Sequence, residues 1–290
     1  MAGRTIALLS PGEMGTQVGR LLHEAGNSVV TCTAGRSEQS RARAQAAGFT
    51  ALPDLDAVAR EADLIICVVP SLSAEPLAGV VADAVARART RPIYVDANSI
   101  GPETARRIGH RVEAAGARFV DGSIIGNANG LPRRGTVYLS GPAAAEVAEL
   151  IDPPLHTESI GTDPGQASGF KVLYAGLTKG LSALGVELLA GAERLGLREP
   201  LLAKYEESYP NVRSFFDSTL PGLPERSRRR AEEMSELSDT LEGIGLTANM
   251  AHAAQTTLEQ LAAQYRDRGG PETEDLDTMI RWLVAQRSRS

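Results

Sequence analysis

The sequence predicts an α/β domain followed by an all-α domain, on three observations. From Thr5 to about Pro142, short runs rich in β-branched residues alternate with Ala- and Arg-rich stretches of helical character, the pattern of a parallel sheet covered by helices. After Gly161 the strand signals stop and the apolar spacing becomes helical. At that change lies a long, mostly apolar stretch, Gly165–Leu195. The expected domains are residues 1–162 and 163–290.

The first strand is expected over Thr5–Ser10, an apolar run that leads straight into a glycine turn, with a helix after it over Gly15–Ala25. Val- and Thr-rich Ser28–Thr33 follows as a strand. The runs Asp63–Pro70, Pro92–Asn98, Arg118–Ile124 and Thr136–Ser140 supply the other strands, with Pro102–Ala115 among the helices that fill the gaps. The second half reads as helices over Gly165–Leu195, Pro200–Glu206, Asn211–Ser218, Pro224–Gly243, Thr247–Arg266 and Glu274–Ala285. Gly165–Leu195 is long for a globular helix and contains Gly169, Gly176, Gly180, Gly185 and Gly191. Each glycine costs a helix up to about 1 kcal/mol relative to alanine, so close packing against another backbone is expected to offset the loss. A helix buried between two subunits supplies such packing, and a symmetric homodimer is expected.

The 290 residues are 42% hydrophobic and 23% charged, a globular composition with enough length for two cores. The net charge of −6 lacks the electrostatic footprint of a nucleic-acid binder, so the expected partner is a small molecule. Arg226, Arg228, Arg229 and Arg230 precede Glu232 and Glu233 and read as a solvated helix face. Cys32 and Cys67 fall in strand-like runs, which predicts buried free thiols rather than a disulfide or a metal site. His23, His110, His156 and His252 show no metal spacing, and His252 alone is a candidate for substrate contact. Phe215, Phe216 and Trp282 read as core or dimer contacts. No run of 18 or more apolar residues appears, and Met1 to Ser10 reads as a first strand rather than a signal peptide. A cytoplasmic chain without a membrane span is the expectation.

The turn after the first strand is Ser10-Pro11-Gly12-Glu13-Met14-Gly15, the Rossmann fingerprint with serine at its first glycine. Gly12 lets the backbone approach a pyrophosphate, Gly15 permits tight helix–strand packing, and the helix N-terminus supplies free amides and partial positive charge. At the end of the second strand an acid would bind the ribose of NAD, and an Arg would accommodate a 2′-phosphate. Here the chain reads Ala34-Gly35-Arg36-Ser37, with no acid and with Arg41 and Arg43 beyond. NADP(H) is therefore expected over NAD(H). Val69 with Pro70, and Asn98, end two further strands and border the ligand crevice of such a sheet. Asn98 either meets a nicotinamide ribose or substrate oxygen, or caps the helix that begins near Pro102.

In order along the chain, Gly12-x-Met14-Gly15, Val68-Val69-Pro70, Asp121-Gly122-Ser123-Ile124-Ile125-Gly126, Ser140-Gly141-Pro142 and Gly161-x-x-x-Gly165-Gln166-Ala167-x-x-x-Lys171 resemble the β-hydroxyacid dehydrogenases, a family that includes 3-hydroxyisobutyrate and 6-phosphogluconate dehydrogenases. The resemblance covers the first 195 residues well. It implies oxidation of a β-hydroxy acid, or reduction of the semialdehyde, with a nicotinamide cofactor, and it puts the family's lysine at Lys171. The run Lys171 to Gly180, with Glu233-Met234, resembles a smaller branch whose helical C-terminal domain is phosphogluconate-dehydrogenase-like.

Residue chemistry supports the same role. Hydride transfer from a carbinol needs a base for the hydroxyl proton, and the reverse reaction needs the same group as acid. A lysine in an apolar, Gly- and Ala-rich helix beside a cationic ring is expected to give up its proton more readily. Tyr174, one turn on, stands where better-known members carry asparagine and is a second catalytic candidate. Thr178 lies two turns along on nearly the same face and is a substrate candidate, and Lys179 is structural or at the mouth of the site. Ile125-Gly126-Asn127 stands where the family shows a serine and two glycines. The amides of Gly126 and Asn127 remain able to hold an anion, while Ile125 makes the wall more apolar and predicts a bulkier or less acidic substrate. Arg133 and Arg134 are candidates to bind an acidic group. Two alternatives stay open: a reductase of imines, which resembles this architecture but usually replaces that lysine, and a non-catalytic NADP-binding sensor.

Overall fold

In the computed structural model, which describes residues 4–271 and 275–285, the strands are β1 (Thr5–Leu9), β2 (Ser28–Cys32), β3 (Thr50–Leu52), β4 (Leu64–Cys67), β5 (Ile93–Asp96), β6 (Arg118–Ile125), β7 (Thr136–Ser140) and β8 (Thr157–Gly161). They form one sheet in the order β3-β2-β1-β4-β5-β6-β7-β8. Every neighbouring pair is parallel except β6 and β7, which are antiparallel. This corrects the expectation of a parallel sheet throughout: only residues 126–135 separate β6 from β7, fewer than the roughly dozen that a parallel crossover needs. β3 and β8 are also absent from the sequence reading. Both are short and show no buried residue, so neither carries the apolar signal by which a strand is recognised.

The helices of this half are α1 (Glu13–Glu24), α2 (Glu38–Ala46), α3 (Leu55–Glu61), α4 (Ser71–Ala88), α5 (Pro102–Ala114), α6 (Leu131–Arg134) and α7 (Ala144–Ile151). The period of the strands sorts their side chains into two cores. Ile65, Cys67, Tyr94 and Phe119 pack with Val58 of α3, Val81 and Val85 of α4, and Ile108 and Val112 of α5. Ile66, Ile93, Val95, Val120 and Leu139 pack with Val18 and Leu22 of α1 and Val147 and Ile151 of α7. Each fully buried aliphatic side chain contributes about 1.5–3 kcal/mol. Both faces of the sheet are thereby covered, and the carboxyl ends of the strands are left to carry chemistry.

The chain divides into two units, Met1–Val172 and Leu173–Ser290. Helix α8 (Gln166–Arg194) begins in the first and continues in the second, followed by α9 (Arg198–Ser208), α10 (Pro210–Thr219), α11 (Leu223–Gly243), α12 (Asn249–Arg268) and α13 (Leu276–Val284). Glu274, expected at the start of the last helix, lies outside the described residues, as do Met1 to Gly3. α8 is long and apolar enough to cross a bilayer by length and composition. Here it is the spine of a packed unit: a methyl group at Gly176 would meet Leu237 of α11, and one at Gly185 would meet the buried Phe216 of α10. Lys179 of α8 is buried in an ion pair with Glu233 of α11 at 2.8 Å, a structural role that also couples Lys179 to the Glu233-Met234 motif. Arg230 departs from the expected solvated face, since it is half-buried and donates to Ser182 at 3.2 Å. His252 is paired with Glu242 at 2.7 Å on the exposed surface, and Trp282 donates its ring N–H to the Gly269 carbonyl at 3.1 Å.

Candidate functional site

The parallel strands run 3-2-1-4-5-6, and the order reverses between β1 and β4. At such a switch point the loops leaving the strands diverge and open a crevice. The turn Ser10–Gly15 leaves β1 there, and Val69 with Pro70 leaves β4. Ser10 holds φ at +68°, a left-handed conformation that costs most residues about 1–2 kcal/mol. The backbone shape of the missing first glycine is therefore kept by a serine under strain. Gly15 has to be glycine, because a Cβ would stand 2.8 Å from the Ser10 carbonyl oxygen.

These residues fit a dinucleotide. Gly12 begins α1 with no side-chain cap on the first turn, which leaves amide donors facing out at the positive end of the helix. Around Gly12 a Cβ would meet nothing within 4 Å, so the turn has room for a pyrophosphate against its backbone. Pro11 is buried, Met14 is half-buried and Glu13 is exposed. Beyond β2, Gly35 turns the chain at φ +70° and Ser37 caps α2, accepting from the Ser40 amide at 3.2 Å. Arg36 is half-buried beside that cap. Arg41 does not reach outward with it, since its guanidinium folds back onto the Arg36 carbonyl.

Asn98 is 2% exposed, and its side chain is engaged within the sheet. Its Oδ1 accepts from the Val69 amide at 2.5 Å and its Nδ2 donates to Cys67 Sγ at 3.6 Å, so it ties the end of β5 to the end of β4. The cap reading is corrected, because α5 begins at Gly101 without a side-chain cap. The Cys67 thiol is pushed up to about 12 by burial and is inert as a nucleophile.

A row of polar side chains crosses the sheet in register: Cys67 opposite Asp96, Asp96 opposite Asp121, and Asp121 opposite Ser140. Sequence reasoning quotes Asp121 and Ser140 within motifs but gives neither a task. Asp121 Oδ2 accepts from the amides of Gly165 and Ser168 at 2.9 Å each and from Ser140 Oγ at 3.1 Å, and its Oδ1 accepts from Ser168 Oγ at 2.5 Å. Ser140 Oγ in turn accepts from the Ala167 amide at 3.0 Å. Together they bind the orphan amides at the start of α8. Gly165 enters this contact at φ +99°, where a Cβ would also stand 3.0 Å from the Pro102 carbonyl oxygen. Burial pushes the Asp121 carboxyl up, while its donors pull it down.

One turn beyond Ser168 stands Lys171. Its Nζ donates to the Asn98 carbonyl oxygen across a long 3.5 Å, which puts the ammonium at the carboxyl end of β5. Phe170 packs against Tyr138 of β7, the two rings tilted with centroids 4.6 Å apart. Ile125 ends β6, followed by Gly126 at φ +140° and Asn127, whose Oδ1 accepts from the Gly130 amide at 2.6 Å. The Asn127 side chain is thus committed to its own loop. Arg133 and Arg134 are exposed in α6. Tyr174 and Thr178 belong to the second unit; Tyr174 is exposed, and the Thr178 hydroxyl donates to the Ala175 carbonyl at 3.0 Å. Within the first unit, the structure brings together Lys171, Asn98 and Val69.

Comparison with known proteins gives two family matches: the NAD binding domain of 6-phosphogluconate dehydrogenase over residues 5–157, and a domain of unknown function, DUF1932, over residues 192–261. A conserved protein described as structurally similar to 3-hydroxyacid dehydrogenases is 31% identical with a TM-score of 0.72, covering 91% of this chain and 99% of its own. The 3-hydroxyisobutyrate dehydrogenase of Mycobacterium tuberculosis, solved with L-serine, is 20% identical with a TM-score of 0.76, covering 98% of this chain and all of its own. An imine reductase variant from Myxococcus stipitatus is 16% identical with a TM-score of 0.62, covering 97% and 99%. The last two likenesses are of fold, and the fold serves both C=O and C=N chemistry.

Proposed function

Because the chain belongs to the family built on the NAD binding domain of 6-phosphogluconate dehydrogenase, we propose that it is an NADP-dependent oxidoreductase that interconverts a β-hydroxy acid, or a related alcohol, with its carbonyl. The observation that carries this reading is Lys171, held at the carboxyl end of β5 by the Asn98 carbonyl and fixed by the docked start of α8. A bound nicotinamide dinucleotide supplies or takes up the hydride. Lys171 gives a proton to the carbonyl oxygen in reduction and removes it in oxidation. Gly12 to Gly15 hold the pyrophosphate, Arg36 with Ser37 the 2′-phosphate, and Val69, Pro70 and Asn98 the nicotinamide side. The amides of Gly126 and Asn127 hold the substrate's acidic group against Ile125. In the second unit Tyr174 is the catalytic candidate and Thr178 the substrate candidate of the same reading. Residues 1–162 form the cofactor domain of this reading, and residues 163–290 the substrate and dimerisation domain of a cytoplasmic enzyme.

The test is NADPH oxidation over a panel of semialdehydes, β-keto acids and cyclic imines. Turnover confined to carbonyls supports the proposal. Turnover confined to imines replaces it with C=N reduction, and binding without turnover replaces it with a sensor. The cofactor preference has its own measurement. A charge-assisted hydrogen bond contributes about 1.5–3 kcal/mol, so Arg36→Ala is expected to weaken NADPH binding roughly 10- to 100-fold in a fluorescence titration and to leave NADH nearly unchanged. Equal losses for both would refute a 2′-phosphate contact.

A homodimer is part of the same reading. Along α8, Leu173, Leu177, Gly180, Leu184, Leu188 and Gly191 recur at helical spacing; the four leucines are exposed, and a Cβ at either glycine would meet nothing within 4 Å. Of the five glycines of the helix, Gly176 and Gly185 are packed closely inside the chain and Gly169 lies in ordinary contact with Pro102, while Gly180 and Gly191 remain open to a second copy. Light scattering at micromolar concentration is expected to give twice the chain mass, and a monomer mass would rule the dimer out.

A further inference from the structure

Beneath Lys171 lies a carboxylate that the proton-transfer scheme does not use. Asp96, at the end of β5, has no exposed surface. Its Oδ1 accepts from the Asn98 amide at 3.1 Å, and its Oδ2 has no hydrogen-bond partner among the described residues. A buried carboxylate oxygen without a donor is costly unless a neighbouring cation compensates it. The groups that face Asp96 come from each strand and helix around it: Cys67 from β4, Tyr94 from its own strand, Asp121 from β6 and Lys171 from α8. Cys67 and Tyr94 are pushed up by burial and stay neutral. Asp121 opposes a second charge, although its own oxygens are taken by α8, Gly165 and Ser140. Lys171 is the cation whose charge favours the Asp96 carboxylate, a smaller influence than burial, the Asn98 hydrogen bonds and Asp121. Asn98 joins the two, with its amide on Asp96 and its carbonyl on Lys171.

We infer that Asp96 is the positioning residue of this site, a buried carboxylate that holds the Lys171 ammonium over the end of β5 and couples the proton of the lysine to its own. The inference rests on the reading of Lys171 as the proton-transfer group. Burial pushes the Asp96 carboxyl up to about 7 from an ordinary 3.8, so its charge changes where a neutral-pH enzyme works. Above that value the carboxylate favours the ammonium, and below it the support is withdrawn. The sign for stability follows. The folded chain binds this proton more tightly than the unfolded chain between about 4 and 7, so Asp96 makes stability fall as pH rises through that window. Asp96→Asn removes the fall.

The chain has three lysines, Lys171, Lys179 and Lys204, which makes the coupling measurable without a substrate. Trace acetylation with acetic anhydride, read by mass spectrometry across pH, reports how readily each amine gives up its proton, and exposed Lys204, paired with Glu207, is the internal reference. In Asp96→Asn the Lys171 midpoint is expected to drop measurably, the direction set by removing a neighbouring opposite charge, while the Lys204 midpoint stays. A merely structural role for Asp96 would move neither, and coincident Lys171 curves in the two folded proteins would overturn the inference. The reciprocal measurement guards against a variant that does not fold. Carboxyl ¹³C NMR should place Asp96 higher in Lys171→Met than in wild type, and an unchanged titration there also overturns it. Neither readout needs turnover, so a chain inactive on every carbonyl but positive in both tests would sink the proposed function and keep the coupling.

Discussion

Lys171→Ala lowers turnover by at least about a hundredfold on whichever carbonyl the wild-type chain reduces, the usual loss when a general acid is removed. The loss is expected in kcat rather than in cofactor binding, because the glycine turn after β1 and Arg36 after β2 are built from other segments of the sheet. NADPH titration of the variant should therefore match wild type. Lys171→Arg separates charge from proton transfer: a guanidinium keeps the cation but does not release its proton near neutrality, so this variant should be nearly as slow as the alanine. A variant that retains turnover above about a tenth of wild type would remove Lys171 from the chemistry, and retention on imines alone would transfer the site to C=N reduction. The pH profile adds a second constraint. If Asp96 supports Lys171, the wild-type profile bends near 7, where the Asp96 carboxyl changes charge, and the bend is absent in Asp96→Asn.

The cofactor half of this site was legible because its physics is local. A β-rich run, a glycine turn and a helix in immediate succession at Thr5–Ala25 suffice to place amides at a helix N-terminus. The lysine was legible through its motif and through its oddity, a cation in a Gly- and Ala-rich helix. What stayed hidden depends on register across the sheet. Asp121 reads as one acid in a strand, and nothing in its neighbourhood along the chain says that Gly165 and Ser168 will bring their amides to it from more than 40 residues away. Asp96 is hidden for the same reason, since only the pairing of β5 with β4 and β6 shows that it is walled in. By residue type alone Asn98 at a strand end suits a ligand or a cap, and its bond to the Val69 amide at the adjacent strand's exit emerges only once β4 and β5 are paired. The antiparallel turn from β6 to β7 was readable: the ten residues of 126–135 leave no room for a crossover helix, a length argument that strand composition does not contain.

Asp121→Ala should be the most destabilising single change in the first unit. It strips the acceptor from two buried amides and two hydroxyls, and each buried group left unpaired costs about 1–3 kcal/mol. Local relaxation lets some of them find new partners, which brings the expected loss to roughly 3–5 kcal/mol, the range for breaking a buried charged network. At about 2–4 °C per kcal/mol for chains of this size, the lowest calorimetric transition should move down by about 6–20 °C. Asp121→Asn keeps one acceptor oxygen and turns an amide toward the remaining donors, so its loss should be smaller but still clear. The consequence reaches the chemistry through geometry. Ser168, held by both Asp121 oxygens, precedes Lys171 by one helical turn, and a start of α8 that is no longer pinned lets the ammonium leave the Asn98 carbonyl. Turnover measured well below the lowered transition should therefore fall in Asp121→Asn while NADPH affinity holds. A variant with a transition within about 2 °C of wild type would show that the docked start of α8 is held by something other than this carboxylate, and the placement of Lys171 would then need another cause.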